Sequence, residues 1–256
     1  MFIDTHCHLT YASNQVQDNN ADALIARANA AGVGAMICAT ADPDDFLPAL
    51  DIAKKHKNIF ATIGMHPDCV NKHKNINLPT EILDNPLVVG VGEIGLDYHS
   101  GTQTRDAQIE LFEKQLEIAR AHNLPVAIHT RDAESDTAAI LTNKNHGVMH
   151  CFTSSWDLAK IMLDRGFFFS ASGILTFKNA ESVRETFAKI PIDRIVIETD
   201  SPYCAPVPYR GKECEPAMVI ETARVLANIK NLQIQDLETI LYENTKRLYP
   251  KCKDKL

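Results

Sequence analysis

This 256-residue chain predicts an α/β fold of the (β/α)8 TIM barrel type. Two observations carry that expectation. Six residues able to ligate a metal, His6, His8, Glu93, His129, His150 and Asp200, stand at the ends of short apolar runs. Strand-like and helix-like segments also alternate along the chain, which implies parallel strands joined by right-handed crossovers. A site assembled from the tips of many parallel strands is what such a barrel builds at its C-terminal face.

Strands are expected at about 2–7, 33–39, 59–65, 87–94, 125–130, 147–152, 167–172 and 194–199. The runs FIDTHCH, VVGVGEI, PVAIHTR, GVMHCF and RIVIETDS are short, rich in Val and Ile, and flanked by Gly and Pro, which favours strand over buried helix. Helical patterns fall at about 21–31, 44–56, 104–122, 133–143, 155–165, 178–189, 215–229 and 234–247. The clearest is 104–122, where Ile109, Phe112, Leu116 and Ala119 form one apolar stripe and Glu110, Lys114 and Glu117 lie off it. Residues 68–85 contain the polar stretch NKHKNIN and read as a surface loop with a short turn of helix, His73 being solvated. With 45% hydrophobic residues and no internal repeat, residues 1–256 are expected to form a single domain.

The net charge of −7 argues against a surface coated in positive potential for gripping duplex nucleic acid, while leaving room for a local basic rim. Seven cysteines lie far apart without a CxxC pair, so reduced thiols in a cytoplasmic compartment are expected rather than a disulfide framework. Residues 1–8 read as strand, without a charged leader and apolar segment, and no run reaches the length of a membrane span. A soluble protein with no membrane association and no obligate protein partner is the expectation.

Side chains alternate along a strand, so in HCH the rings of His6 and His8 share one face, the barrel interior and its mouth. Glu93 lies among Val91, Ile94 and Leu96, and burying a carboxylate there costs several kcal/mol unless it is paired or metal-bound. His129, His150 and Asp200 each end an apolar run. Four imidazoles and two carboxylates suit two divalent cations: one at His6, His8, Glu93 and Asp200, the other at Glu93, His129 and His150, with Glu93 bridging. Magnesium, manganese and zinc all remain open. Hydrolysis is the chemistry of such a site, and Asp200 is the residue expected to orient a water and take its proton, with Glu93 its catalytic partner.

The set HCHL (6–9), GMHP (64–67), VGEIGLDY (91–98), LPVAIHTRDA (124–133), MHCF (149–152), SGILTFKNA (172–180) and ETDSPYCAPVPYRGK (198–212) closely resembles the TatD family of metal-dependent DNases, over nearly the whole chain. The resemblance implies a two-metal barrel hydrolase of phosphodiester bonds, a 3′-to-5′ exonuclease on single-stranded DNA with RNA as a second substrate. The family's metal positions fall on the same six residues. Thr153 stands where a Ser is common and Cys214 where the family usually has Asn. Neither is a ligand, so they bear on substrate preference.

Other residues suit a substrate. His66 ends the third strand run and is placed to hydrogen-bond a phosphate or leaving group, or to serve the strand end structurally. Arg131 shares the face of His129 and offers a planar fork to a phosphate, against an ion pair with Asp132 or Glu134. Tyr203, Tyr209, Arg210 and Lys212 sit in a loop stiffened by Pro202, Pro206 and Pro208. Aromatic and basic residues there suit a stacked base and its phosphate, unless the loop only packs over the barrel mouth. Lys178 adds a further phosphate contact or simply a solvated helix start. The rival activities are a D-aminoacyl-tRNA deacylase or a lactonase on the same barrel. A non-catalytic metal-binding module is disfavoured, since structural zinc sites are usually closed four-ligand sets dominated by Cys and His.

Overall fold

The structure, a computed structural model, describes residues 1–11, 20–72, 78–99, 101 and 103–253; His73 and its expected exposure lie outside them. Eight strands, β1 (Phe2–Cys7), β2 (Val33–Ala39), β3 (Ile59–Thr62), β4 (Val88–Asp97), β5 (Val126–Arg131), β6 (Gly147–Met149), β7 (Phe168–Ala171) and β8 (Ile195–Ile197), pair in sequence order, every ladder parallel. The seam between β1 and β8 is drawn together by bonds just beyond the ladders. Asp200 N–H donates to His6 O (2.9 Å) and His8 N–H to Ser201 O (2.8 Å), while Thr5 Oγ1 donates to Ile197 O (2.9 Å). The expected (β/α)8 barrel is what forms.

Between the strands run α1 (Ala21–Ala30), α2 (Phe46–Lys55), α3 (Thr80–Leu83), α4 (Arg105–Ala121), α5 (Glu134–Ile140), α6 (Trp156–Asp164) and α7 (Glu181–Lys189), followed by α8 (Val219–Lys230) and α9 (Ile234–Leu248). Asn20 caps α1 by accepting from Ala23 N–H, and Ser155 caps α6 by accepting from Leu158 N–H, each satisfying a donor the first turn leaves open. The short α3 and a turn of 3-10 helix at Pro67–Asn71 are the helical part of the segment read as a surface loop.

Two apolar layers follow from the period-two pattern. Met36, Cys38, Ile59, Val126 and Ile128 face the helices, while Ala35, Ile37, Phe60, Val89, Ala127, Val148, Phe168 and Val196 fill the barrel interior. Tyr249, Leu248 and Cys252 from the end of the described chain pack onto that interior layer and close the floor of the barrel. Extending the interior parity upward, Ala127 leads to His129, Val148 to His150 and Val196 to Glu198. The strands therefore carry an apolar base and a polar top, and the site sits at the strands' C-terminal ends.

Helix α4 departs in one respect from the stripe read in the sequence. Phe112, Leu116 and Ala119 are buried as expected, but Ile109 is only half-buried and Gln108 and Gln115 take places on the buried face. Both glutamines bond the backbone at both ends of their amides. Gln115 accepts from Met65 N–H (2.8 Å) and donates to Met65 O (3.0 Å); Gln108 accepts from Asp97 N–H (2.9 Å) and donates to Asp97 O (2.8 Å). A polar residue that satisfies a strand end's backbone is as much a core residue as a leucine.

Candidate metal centre

Glu93 is the hub of the site. Its carboxylate is buried, and five imidazoles from four strand ends stand within 4 Å of it. Oε2 faces His6 Nε2 at 3.5 Å and His8 Nε2 at 3.7 Å. Oε1 faces His129 Nδ1 at 2.7 Å, His150 Nε2 at 3.5 Å and His66 Nε2 at 3.8 Å. From the far side Asp200 Oδ1 stands 3.6 Å from His8 Nε2, 3.8 Å from His150 Nε2 and 3.9 Å from His6 Nε2. The two oxygens of Glu93 thus serve two different groups of donors. Asp200, three residues beyond the end of β8, holds a left-handed φ of 58°, a conformation an Asp tolerates better than most residues.

The separations test whether a cation fits. Most of them are too long for a hydrogen bond, and His6 Nε2 is buried with no hydrogen-bond partner. Donors about 2.1 Å from one tetrahedral ion lie roughly 3.4 Å apart, so the spacing is that of ligands arranged around a shared ion. Around Glu93 and Asp200 the imidazole combinations close enough to hold one include His6 with His8 and Glu93, His6 with His150 and Asp200, and His66 with Glu93 and His129. All six residues singled out in the sequence converge. His150 stands near both Glu93 Oε1 and the pair His6 and Asp200, and His66 joins Glu93 and His129.

Protonation follows the same geometry. Burial raises the cost of a charged Glu93, but His150, His129 and His6 overcome it and hold its carboxyl well below the usual range. Burial likewise opposes charge on His129 and His150. Hydrogen bonds donated by its ring to Asp97 and Glu93 nevertheless keep His129 up at about 9, and the charges of Glu198, Glu93 and Asp200 keep His150 at about 10. His6 and His66 are pushed down, chiefly by burial.

Three further carboxylates fix these side chains or the segments that carry them. Asp97 Oδ2 stands 3.0 Å from His129 Nε2. Glu198 Oε1 stands 2.8 Å from His150 Nδ1 and accepts from Cys151 N–H at 2.7 Å. A histidine whose second nitrogen faces a carboxylate has its ring orientation fixed and its basicity raised. Asp4, fully buried, accepts from Thr199 N–H (2.9 Å) and Thr199 Oγ1 (2.5 Å), tying β1 to the segment that carries Asp200; burial pushes its pKa up to about 8. The signal was present in the sequence, because Glu198 and Asp4 sit in apolar runs in the same way as Glu93.

The mouth opens into a cavity of about 770 Å³ whose walls include His66, Arg131, Tyr11 and Tyr203. Tyr11, also unassigned in the sequence, stacks on the His8 ring at 4.7 Å with an interplanar angle of 7°, and Tyr203 meets it edge-on at 6.4 Å. Arg131 is exposed and also borders a neighbouring cavity; Asp132 pairs with His99, and Glu134 accepts from Ser155. Lys178, Arg210 and Lys212 do not line the cavity. The Arg210 guanidinium lies 3.7 Å over the Phe177 ring, Lys212 Nζ is 6.0 Å from the Tyr209 ring, and Lys178 is exposed.

Residues 3–250 match the model of a family described as TatD related DNase. Over 251 residues the chain is 37% identical to the metal-dependent hydrolase YcfH of Escherichia coli K12, covering 96% of this chain and 95% of that one. Over 255 residues it is 36% identical to the metal-dependent hydrolase YabD of Bacillus subtilis, covering 97% and 99%. Among solved structures it is similar to the TatD homologue YjjV of Escherichia coli K12, with a TM-score of 0.88 and 28% identity over 97% of this chain and 98% of that one.

Proposed function

Starting from the fact that the chain belongs to the TatD related DNase family and is a metal-dependent hydrolase, we propose that it cleaves phosphodiester bonds of DNA. In this reading it works as a 3′-to-5′ exonuclease on single-stranded ends in the cytoplasm, and RNA is a second substrate. The observation that carries the reading is the division of Glu93, with Oε2 turned to His6 and His8 and Oε1 to His129, His150 and His66. A carboxylate presenting one oxygen to each of two imidazole groups is suited to bridge two cations.

Two divalent cations, magnesium, manganese or zinc, would be held by His6, His8, Glu93, His129, His150 and Asp200, and when bound would supply positive charge that acidifies a water and polarises a phosphoryl oxygen. The chain's own residues do the rest. Asp200, whose carboxylate faces both the histidines and the open cavity, orients the attacking water and accepts its proton. Asp97 and Glu198 keep His129 and His150 turned toward the centre. Arg131 offers a planar donor fork to a phosphate next to the scissile one, and Tyr203, 55% exposed at the rim, supplies a face on which a terminal base stacks. With a net charge of −7 the protein draws little attraction from duplex backbone, which supports a preference for frayed or single-stranded ends.

The test offers an oligonucleotide with a free 3′ end, a D-aminoacyl-tRNA and a lactone side by side with magnesium or manganese present. Stepwise shortening of the oligonucleotide, abolished in Glu93→Ala and Asp200→Asn, is the expected result. Turnover of only the tRNA ester or the lactone refutes the nuclease reading.

A further inference from the structure

Of the seven cysteines, Cys151 and Cys204 are partly exposed, and both line the cavity. Their sulfurs and a carboxylate oxygen of Asp200 all lie within 4.8 Å of one another. Cys204 Sγ is 3.7 Å from Asp200 Oδ2, and Cys151 Sγ is 3.1 Å from Ser172 Oγ. Asp200 therefore has two faces: Oδ1 looks to His6, His8 and His150, and Oδ2 looks to the thiols. All three residues hold a left-handed backbone, with φ of 42° at Cys151, 58° at Asp200 and 55° at Cys204. Such conformations are uncommon outside glycine, and they tend to cluster where a site is being shaped.

We propose that Cys151, Cys204 and Oδ2 of Asp200 form a separate site for a thiophilic divalent cation, zinc or cadmium in class, and that filling it inhibits the hydrolase by engaging Asp200. Its two sulfurs and one oxygen differ in kind from the imidazole and carboxylate donors around Glu93. Thiolates favour soft cations, whereas carboxylate oxygens suit magnesium and manganese and imidazoles accept zinc as well, so a thiolate signal marks this site alone. On binding, two thiols become thiolates and their two protons pass to solvent, so the site takes up one dication and releases two protons. The inhibition rests on the reading of Asp200 given above. The binding does not.

The experiment is a cadmium titration of the whole protein, held in magnesium and a phosphine reductant so that no disulfide forms, followed by the ultraviolet thiolate-to-cadmium charge-transfer band. The wild type should give a band that saturates at a single equivalent, and Cys204→Ser and Cys151→Ser should each weaken binding at least about tenfold. Melting curves check that both variants fold, and Cys204→Val serves as a second test at the more peripheral position. A wild type without a band overturns the site, as does a band equally strong and equally tight in folded Cys204→Ser and Cys204→Val. Absorbance needs no substrate, so a band lost in the variants, alongside absent oligonucleotide hydrolysis by the cadmium-free wild type, supports the site and refutes only the nuclease reading.

Discussion

Replacing Glu198 by glutamine removes one negative charge from behind His150 while keeping the side chain's size. Glu198 Oε1 lies 2.8 Å from His150 Nδ1 and accepts the Cys151 N–H at 2.7 Å. One glutamine oxygen can keep both contacts, so what is lost is the negative charge beside the imidazole. Glu198 heads the charges that hold the His150 pKa up against burial, so removing it lowers that pKa and makes the ring a weaker donor. Carboxylates behind a ligating histidine are worth about 10- to 100-fold in metal affinity, or roughly 1.4 to 2.7 kcal/mol at 1.36 kcal/mol per tenfold. Competition of Glu198→Gln against a chelating dye for manganese or zinc measures the change directly. NMR titration of the metal-free variant should show the His150 ring losing its proton at lower pH than in the parent. Unchanged affinity together with an unmoved His150 titration would refute the claim that Glu198 sets the strength of this ligand.

The remaining predictions concern different parts of the molecule. Gln115→Leu strips both partners from the Met65 backbone and should cost about 1–3 kcal/mol by denaturant titration; a smaller loss would mean that α4 does not hold the His66 loop. Tyr249→Phe removes a fully buried hydroxyl that has no hydrogen-bond partner, so its melting temperature should hold or rise, and a clear drop would reveal a partner for that hydroxyl. For pH, His129 at about 9 and His150 at about 10 lie above their ordinary 6.5. The metal-free protein therefore holds their stabilisation below pH of about 6.5 and loses it as pH rises through 9 and 10. Cations replace those protons, so the gain in Tm on adding manganese should grow with pH across that window, and a constant gain contradicts the assignment. Arg131→Ala should raise the oligonucleotide KM more than Arg210→Ala or Lys212→Ala, because Arg131 alone of the three lines the cavity; equal effects would put the proline-rich loop in the substrate path.

What was legible in the sequence depended on period and chemistry acting together. Side-chain alternation put His6 and His8 on one face, His129 and His150 each ended an apolar run, and a carboxylate in the apolar run of β4 had to be paired or metal-bound, so Glu93 stood out. The same rule applied to Glu198 and Asp4, yet Asp200 at the strand end drew the attention that Glu198 equally warranted. Gln108 and Gln115 were hidden for a physical reason, because a helical stripe reads every polar residue as solvent-facing and cannot register an amide that bonds a neighbouring strand's backbone. Lys178, Arg210 and Lys212 lie in segments without regular period, where sequence gives residue type but not direction. Stacking on Phe177 turned Arg210 into the loop's own packing. His66 was found by motif, but its approach to Glu93 and His129 is a matter of three strand ends meeting, which one chain position cannot announce.

The bonds from Thr199 to Asp4 join residues 195 positions apart. A ribosome that has delivered the first seven strands has released His6 and His8 without Asp200 or the seam that fixes them, and closing so long a loop is slow. On the proposed role of Asp200 the nascent polypeptide is thus unarmed: a product terminated before the eighth strand carries Glu93 and its five imidazoles but lacks the carboxylate that would orient the water.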